Sequence, residues 1–349
     1  MAMAQLGYSL EEIEMDQLSR QELQAVTELI NEVSHEREPR HTDLTAEEVL
    51  LFSRRPGSVS RRYVAWDAKG RPVAILDTRY SDDGTNPHIL HTSISVRPDC
   101  RRQGVGSELL AKTVEGCREL ERTTLSGSVF DTVPPAQAFA DVVGARTVLE
   151  MHMNTVRVAD LPIDLLRTWE EQGPSRAPGY SVTLIEGAYP EELLEGMAHL
   201  YHVLERDMPS PEGFEAREYT PELVTEFMEM FLQGADLLTS VAVHNESGEV
   251  AGMSQIGRRK TDPVTWFVST TMVDPAHRGH ALGKWVKAQV TLAALNRWPG
   301  GEYIETGNAF TNEAMLGINH AMGFRHEYTM AWVEVDVDRV ESYLATRTG

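Results

Sequence analysis

Two stretches of this chain bring together residue types that can hold a phosphate group. The first is Arg101, Arg102, Gln103, Gly104, Val105, Gly106 and Ser107, entered from Val96 through Pro98 and followed by an apolar-periodic run. The second is Arg278, Gly279, His280, Ala281, Leu282, Gly283 and Lys284, entered from Val273 through Pro275 and followed by a similar run. A strand, a proline-marked turn, an arginine and closely spaced small residues leading into a helix present backbone N–H groups to a pyrophosphate. Cations at a helix N-terminus oppose the helix dipole, so Arg101, Arg102, Arg278 and Lys284 read as partners of that anion; each also reads as an ordinary surface charge. The chemistry is that of a phosphate-bearing cofactor, and the chain offers it twice.

Each loop needs a strand to enter from and a helix to open, and both recur in two copies. Gly7-Tyr8-Ser9 returns as Gly179-Tyr180-Ser181, 172 residues on. Val64-Ala65 and Arg101 return as Val241-Ala242 and Arg278, both 177 on, and Gly144 returns as Gly323, 179 on. A slowly drifting offset marks duplication of a whole domain rather than a short solenoid repeat. Periodicity and turn residues predict acidic helices over 19–32 and 190–205, then hairpins over 62–80 and 240–256. Strands over 89–96 and 265–273 enter the loops; strands over 123–129 and 302–306 follow the loop helices. Short helices over 135–143 and 312–322 and final strands over 147–158 and 326–337 complete each copy. The expected fold class is α+β, a mixed α/β arrangement. The expected limits are a first domain over 1–170, a Gly/Pro-bearing linker over 171–179 and a second domain over 180–349.

The loop pattern resembles motif A of the GCN5-related N-acetyltransferase (GNAT) family, Arg/Gln-x-x-Gly-x-Gly/Ala. Arg101, Gly104 and Gly106 fit it; in the second copy Arg278 and Gly283 fit, and Ala281 replaces the first glycine. The resemblance covers nearly the whole chain. It implies two tandem domains of this type, each a mixed, mostly antiparallel twisted sheet flanked by helices. It implies acetyl-CoA as the cofactor, held by its pyrophosphate, and direct acyl transfer to a primary amine. By the same resemblance the thioester lies in a splay between the strand entering the loop and the strand after the helix. The backbone of Ile94 and Val96, and of Thr271 and Val273, then runs along the pantetheine arm.

The family's downstream motif carries an Asn that contacts the cofactor arm and often a Tyr that protonates the leaving thiolate. Asn312 fits the first position in the second copy, where the first copy has Val133; Asn319 and Ala140 stand where the Tyr would be. The second copy is therefore the favoured catalytic half, with Glu305 as base and Tyr303 or Tyr328 as substitute proton donor. Glu305 reads equally as a surface carboxylate, and Tyr328 as a packed aromatic. Asp207, in the segment 205–209, is expected to pair with a substrate ammonium. Arg278→Glu is then expected to harm turnover more than Arg101→Glu. The eroded motifs also fit a different class, a non-catalytic acyl-CoA sensor or interaction protein.

The net charge of −21 argues against nucleic acid and membrane surfaces as partners. Residues 1–50 hold twelve Asp/Glu against three Lys/Arg, and residues 201–250 hold eleven against two. Acidic helices near a cleft would draw in a small cationic amine; the plainer reading is solvated helix faces. Cys100 and Cys117 have neither metal nor redox spacing and read as reduced thiols of a cytoplasmic protein, and no metal site is expected. A homodimer is left open.

Overall fold

The computed structural model describes residues 7–208, 213–309 and 312–346. The chain forms two compact units, each built on a six-stranded sheet. The first copy runs β1 (Tyr8–Ile13), α1 (Arg20–Arg37), α2 (Ala46–Ser53), β2 (Ser58–Asp67), β3 (Pro72–Ser81), β4 (Ile89–Val96), α3 (Val105–Glu119), β5 (Thr124–Phe130), α4 (Pro134–Val143) and β6 (Arg146–Arg157). After α5 (Ile163–Arg176) the second copy repeats the order: β7 (Tyr180–Glu186), α6 (Leu194–Asp207), α7 (Pro221–Gly234), β8 (Ala235–His244), β9 (Val250–Arg259), β10 (Thr265–Val273), α8 (Leu282–Arg297), β11 (Tyr303–Ala309), α9 (Glu313–Ala321) and β12 (Arg325–Asp336), closed by α10 (Val337–Ala345).

Local chemistry fixes the ends of these elements. Ser19 and Glu22 form a capping box at the start of α1, and Thr45 and Glu48 form another at α2, each satisfying two orphan backbone donors. The β2–β3 turn is held by Asp67 Oδ1, which accepts the N–H groups of Lys69 and Arg71 at 2.9 Å. No helix among the described residues is long and apolar enough to cross a membrane.

The sheet of the first unit has the order β1-β2-β3-β4-β5-β12, and that of the second has β6-β11-β10-β9-β8-β7. Thus each unit takes its last strand from the other sequence copy. Residues 330–336 of β12 pair antiparallel with β5, and residues 151–157 of β6 pair antiparallel with β11. The following helix goes with the strand. Val337 and Val340 of α10 join Leu110, Val114 and Cys117 of α3 in one core of the first unit. Leu166 of α5 joins the core of the second, with Ala288 and Ala294 of α8. The compact units therefore divide near Glu150 and Tyr328. Residues 171–176, read from the sequence as the start of a linker, continue α5. Gly173 is there for packing: a Cβ on it would fall 2.2 Å from Trp285 Cδ2.

Candidate active site

In each unit a parallel strand pair opens into a splay. β4 and β5 pair only over Ile89–His91 and Thr124–Ser126, and β10 and β11 only over Thr265–Val268 and Tyr303–Thr306. Beyond those residues β4 still pairs with β3, and β10 with β9. Arg97 N–H donates to Val73 O at 2.9 Å, so its backbone faces β3. Backbone polar groups alternate sides along a strand, so those of Ile94 and Val96 turn toward the gap. Asp274 N–H likewise donates to Ala251 O at 2.9 Å, which turns Thr271 and Val273 toward the second gap.

At the foot of each splay stands the loop that opens the next helix. Arg102 and Gly104 have φ of +61° and +94°, and Gly279 and Ala281, at the same places, have +89° and +57°. Gly104 and Ala281 are the N-caps of α3 and α8. Val105 and Leu282 point their side chains into the core, each 1% exposed, and offer only their N–H groups. First-turn N–H groups have no acceptor within their own helix. Gly106 and Gly283 have ordinary helical φ, and neither is demanded by packing. A Cβ on Gly106 would meet nothing nearer than Val96 Cγ2 at 3.9 Å, and one on Gly283 nothing nearer than Ile318 Cδ1 at 3.5 Å. Bare surface beside unpaired N–H groups at a helix N-terminus fits a pyrophosphate.

The motif arginines are already engaged. Arg101 Nε donates to Val96 O at 3.0 Å, and its Nη1 and Nη2 donate to the two carboxylate oxygens of Glu36 at 2.8 and 2.5 Å. Arg278 Nε donates to Val273 O at 3.1 Å, and its Nη2 donates to Asp207 Oδ2 at 2.5 Å. Each ties its strand end to the last turn of the acidic helix; Arg101 has Nε, Nη1 and Nη2 all engaged, whereas Arg278, 57% exposed, keeps Nη1 outside these bonds, and Asp207 is already paired with it. Pro209, the end of the segment proposed as an acceptor loop, lies outside the described residues. Gln103 is tied down as well, accepting from Tyr8 Oη at 3.0 Å and donating to Asp99 O at 3.1 Å. Arg102 is exposed and Ser107 half-exposed, at the loop and the first turn.

In the second loop, Lys284 Nζ lies 5.4 Å from the centre of the Trp169 ring, beside a groove of about 300 Å³ lined by Trp169, Gln172, Arg176 and Ala281. The ring of His280 packs near that of Tyr180, with centroids 5.3 Å apart. Asn312 is the N-cap of α9, where its Oδ1 accepts from Met315 N–H at 3.1 Å. Glu305 pairs across to Phe267 on β10 and Thr155 on β6, at the root of the splay rather than on its open arm. Tyr328 belongs to the first unit, whereas Glu305 belongs to the second. Tyr328 packs against Phe130, the last residue of β5, with ring centroids 6.2 Å apart. Exchange of β12 is what moves it.

Sequence reasoning missed a buried polar chain in the second unit. Lys287 of α8 is 1% exposed, and its Nζ donates to Asn319 Oδ1 at 2.5 Å. Asn319 Nδ2 donates in turn to Asn308 Oδ1 on the open arm of β11. Burial lowers the Lys287 pKa to about 7. In the first unit, burial beside Arg79 and Arg122 lowers the pKa of His91 to about 4, leaving a neutral imidazole at the root of that splay. At least five of the twelve carboxylates in the acidic window over 1–50 are engaged internally. Glu22 and Glu48 cap helices, Glu32 pairs with Arg97, Glu36 with Arg101, and Asp43 with His35.

The acetyltransferase (GNAT) family model matches residues 23–144. Among solved structures, the chain is similar to a tandem GNAT protein from the clavulanic acid biosynthesis pathway, solved without acetyl-CoA. That similarity is at 21% identity and TM-score 0.78, over 95% of this chain and 98% of the other. It is also similar to a GCN5-related N-acetyltransferase from Sphaerobacter thermophilus, at 15% identity and TM-score 0.64, over 95% and 96% of the two chains. None of the curated proteins matches in sequence.

Proposed function

We propose that this chain, whose residues 23–144 match the GNAT acetyltransferase family model, is a member of that family carrying its fold twice, and that its first unit transfers an acyl group from acyl-CoA to a primary amine. The observation that carries this reading is the open splay of β4 and β5 with the bare N-terminus of α3 at its foot. Acyl-CoA, when bound, supplies a thioester carbonyl activated toward an amine. The N–H groups of Val105 and Gly106, with the exposed Arg102, would hold the pyrophosphate. The backbone of Ile94 and Val96 would line the pantetheine arm. Tyr328, at the end of the β5 arm, would stand where a proton is delivered to the departing sulfur. The balance needs little more. The amine nitrogen bonds to the acyl carbon, the C–S bond breaks, and one proton leaves the nitrogen as one reaches the sulfur. A thiolate with a conjugate pKa of about 8.5 can also draw that proton from water.

The choice of unit departs from the sequence reading, which favoured the second copy. The family match lies on the first copy, Gly104 takes its left-handed conformation without a Cβ, and Tyr328 stands in the first unit. In the second unit Asn312 is occupied as a helix cap, and Ala281 carries a Cβ at the left-handed position. That unit is proposed as a binding or scaffolding copy. The acceptor is proposed as a small primary amine. Internal pairing of Glu32, Glu36, Asp43 and Asp207 weakens the argument from charge for a purely cationic one.

The test is acetyl-CoA calorimetry together with free-thiol release on the wild type, Gly106→Glu and Gly283→Glu. A carboxylate in either first turn blocks its loop. Turnover should vanish in Gly106→Glu and survive in Gly283→Glu. The opposite pattern would return catalysis to the second unit, and tight binding with no thiol released from any amine would make the chain a sensor.

A further inference from the structure

The last turn of α1 spans the mouth of the first splay. Glu36 reaches the β4 arm through Arg101, which is bonded to Val96 O. The next residue, Arg37, reaches the β5 side: its carbonyl accepts from Thr132 Oγ1 at 2.7 Å, just past the end of β5. Its guanidinium carbon lies 5.6 Å from the centre of the Phe130 ring, which in turn packs against Tyr328. A guanidinium, a phenyl ring and a phenol thus frame the place where the two arms stand furthest apart.

Among the described residues that guanidinium forms no ion pair, although Glu36 and Glu38 lie near it. Nη2 donates to Ser34 Oγ at 2.9 Å. Nε is shut off from solvent and meets no acceptor among the described residues. The nearby carboxylates are turned elsewhere: Glu36 is held by Arg101, and Glu38 Oε2 lies 3.7 Å from His41 Nδ1. Burial lowers the Arg37 pKa, yet arginine stays charged at physiological pH. A half-buried cation without an ionic partner is unfavourable, as is a buried donor such as its Nε without an acceptor. Scaffolding alone would fill such a position with an apolar side chain. The second unit does so. Asp207 pairs with Arg278 as Glu36 pairs with Arg101, and the residue after it is Met208.

We propose that Arg37 binds a carboxylate carried by one of the two substrates of the first unit, either the acyl acceptor or the acyl chain. A guanidinium offers a planar set of donors matched to a carboxylate, and the face of Phe130 fixes its plane. Rim position, with Phe130 and Tyr328 beside it, places the bound carboxylate next to the transferred group rather than at the phosphates. The inference rests on acyl transfer occurring in the first unit.

The experiment uses the whole chain as wild type, Arg37→Met and Arg37→Lys. Calorimetry gives Kd for acetyl-CoA against succinyl-CoA, and for β-alanine against propylamine with and without CoA. The wild type should prefer the carboxylate-bearing member of one pair by on the order of 10- to 100-fold. A preference within the amine pair assigns the carboxylate to the acceptor; one within the thioester pair assigns it to the acyl chain. Arg37→Met should erase the preference, keep acetyl-CoA binding and raise Tm by about 2–4 °C as an unbalanced charge is removed. Arg37→Lys should keep part of the preference. No preference in either pair, or one untouched by Arg37→Met, overturns the proposal. If acetyl-CoA does not bind at all, the acyl-transfer reading fails, and the amine pair on the free protein still decides the role of Arg37.

Discussion

The two loops solve one geometric problem in opposite ways. Both need two left-handed residues between the strand and the helix. The first loop gives the earlier position to Arg102 and the later to Gly104; the second gives the earlier to Gly279 and the later to Ala281. Each therefore has one relaxed and one strained position. The arginine clamps at the splay mouths were kept in both copies, while Arg37 became Met208 and Leu110 became Lys287. Duplication preserved what holds the strand ends and changed what faces the gap and the helix behind it. Parts that a splay needs in order to exist are common to both units, and parts that differ are where their ligands or roles diverge.

The largest effect should come from the helix behind the gap. Leu110 and Lys287 are equivalent positions, 177 residues apart, and both are buried. Lys287 titrates near 10.5 when unfolded and at about 7 in the folded state. Between those values the unfolded chain binds a proton that the native chain does not, so Lys287 makes stability rise with pH from about 7 to 10.5. Below about 7 both states are charged and the full penalty applies. Lys287→Met should gain about 2 kcal/mol at pH 7, the desolvation relief offset in part by the orphaned Asn319 Oδ1. The gain should shrink with rising pH and turn into a loss near pH 10.5, where only the orphan remains. Urea midpoints of both proteins across pH 7–10.5 check this; parallel curves would mean that Lys287 is charged in both states throughout.

A smaller difference should separate the two clamps. The Arg101 side chain is 21% exposed and bonds both oxygens of Glu36, while that of Arg278 is 57% exposed and bonds one oxygen of Asp207. Arg101→Ala should cost about 1–3 kcal/mol, since it strands Glu36 as well as Val96 O. Arg278→Ala should cost no more than about 1 kcal/mol, as exposed pairs do. Denaturant unfolding followed by probes in each unit reads both. Equal losses would show that exposure does not grade these pairs. The sequence reading ordered Arg278 ahead of Arg101 for turnover because it favoured the second copy as the catalytic half; for stability the clamp geometry places Arg101 first.

What the sequence carried was local. Val-x-Pro before each loop, glycines after it and alternating strands around it give the β4–loop–α3 and β10–loop–α8 units almost to the residue, because turn chemistry and periodicity act over a few positions. The exchange of β6 and β12 was not legible. Both strands carry the same kind of pattern, and which neighbour each pairs with is decided by contacts far apart in the chain. Gly173 and Pro174 look like a helix break, but Gly173 is small because Trp285 passes over it. Lys287 was hidden for a related reason: a lysine in a helix reads as surface. Its neighbours Trp285, Val286, Ala288 and Val290 are all buried, so an unusually broad apolar face was the one signal available. Arg37 could have been singled out only by aligning Glu36 with Asp207, and nothing in their sequence neighbourhoods marks that pair before the clamps are seen.

The smallest expected effect tests the loops against each other. Ala281 at φ +57° sits within the narrow left-handed region open to residues with a Cβ, at a cost of roughly 1 kcal/mol. Replacing it with glycine removes that strain but frees the unfolded chain by about 0.4–1 kcal/mol, so Ala281→Gly should change stability by less than about 0.5 kcal/mol. Gly104 at φ +94° lies beyond that region, so Gly104→Ala must either strain further or shift the turn, and should cost about 1–2 kcal/mol. The same asymmetry should appear in acetyl-CoA binding. Ala281→Gly leaves every N–H where it was and should alter affinity at the second loop by less than about 3-fold. Gly104→Ala moves the N–H groups of Val105 and Gly106 and should weaken the first loop by on the order of 10-fold. Calorimetry on the two variants reads both. A large gain at the second loop from Ala281→Gly would mean that the methyl itself had been excluding phosphate, and that the missing glycine rather than the polar chain behind the gap separates the two units.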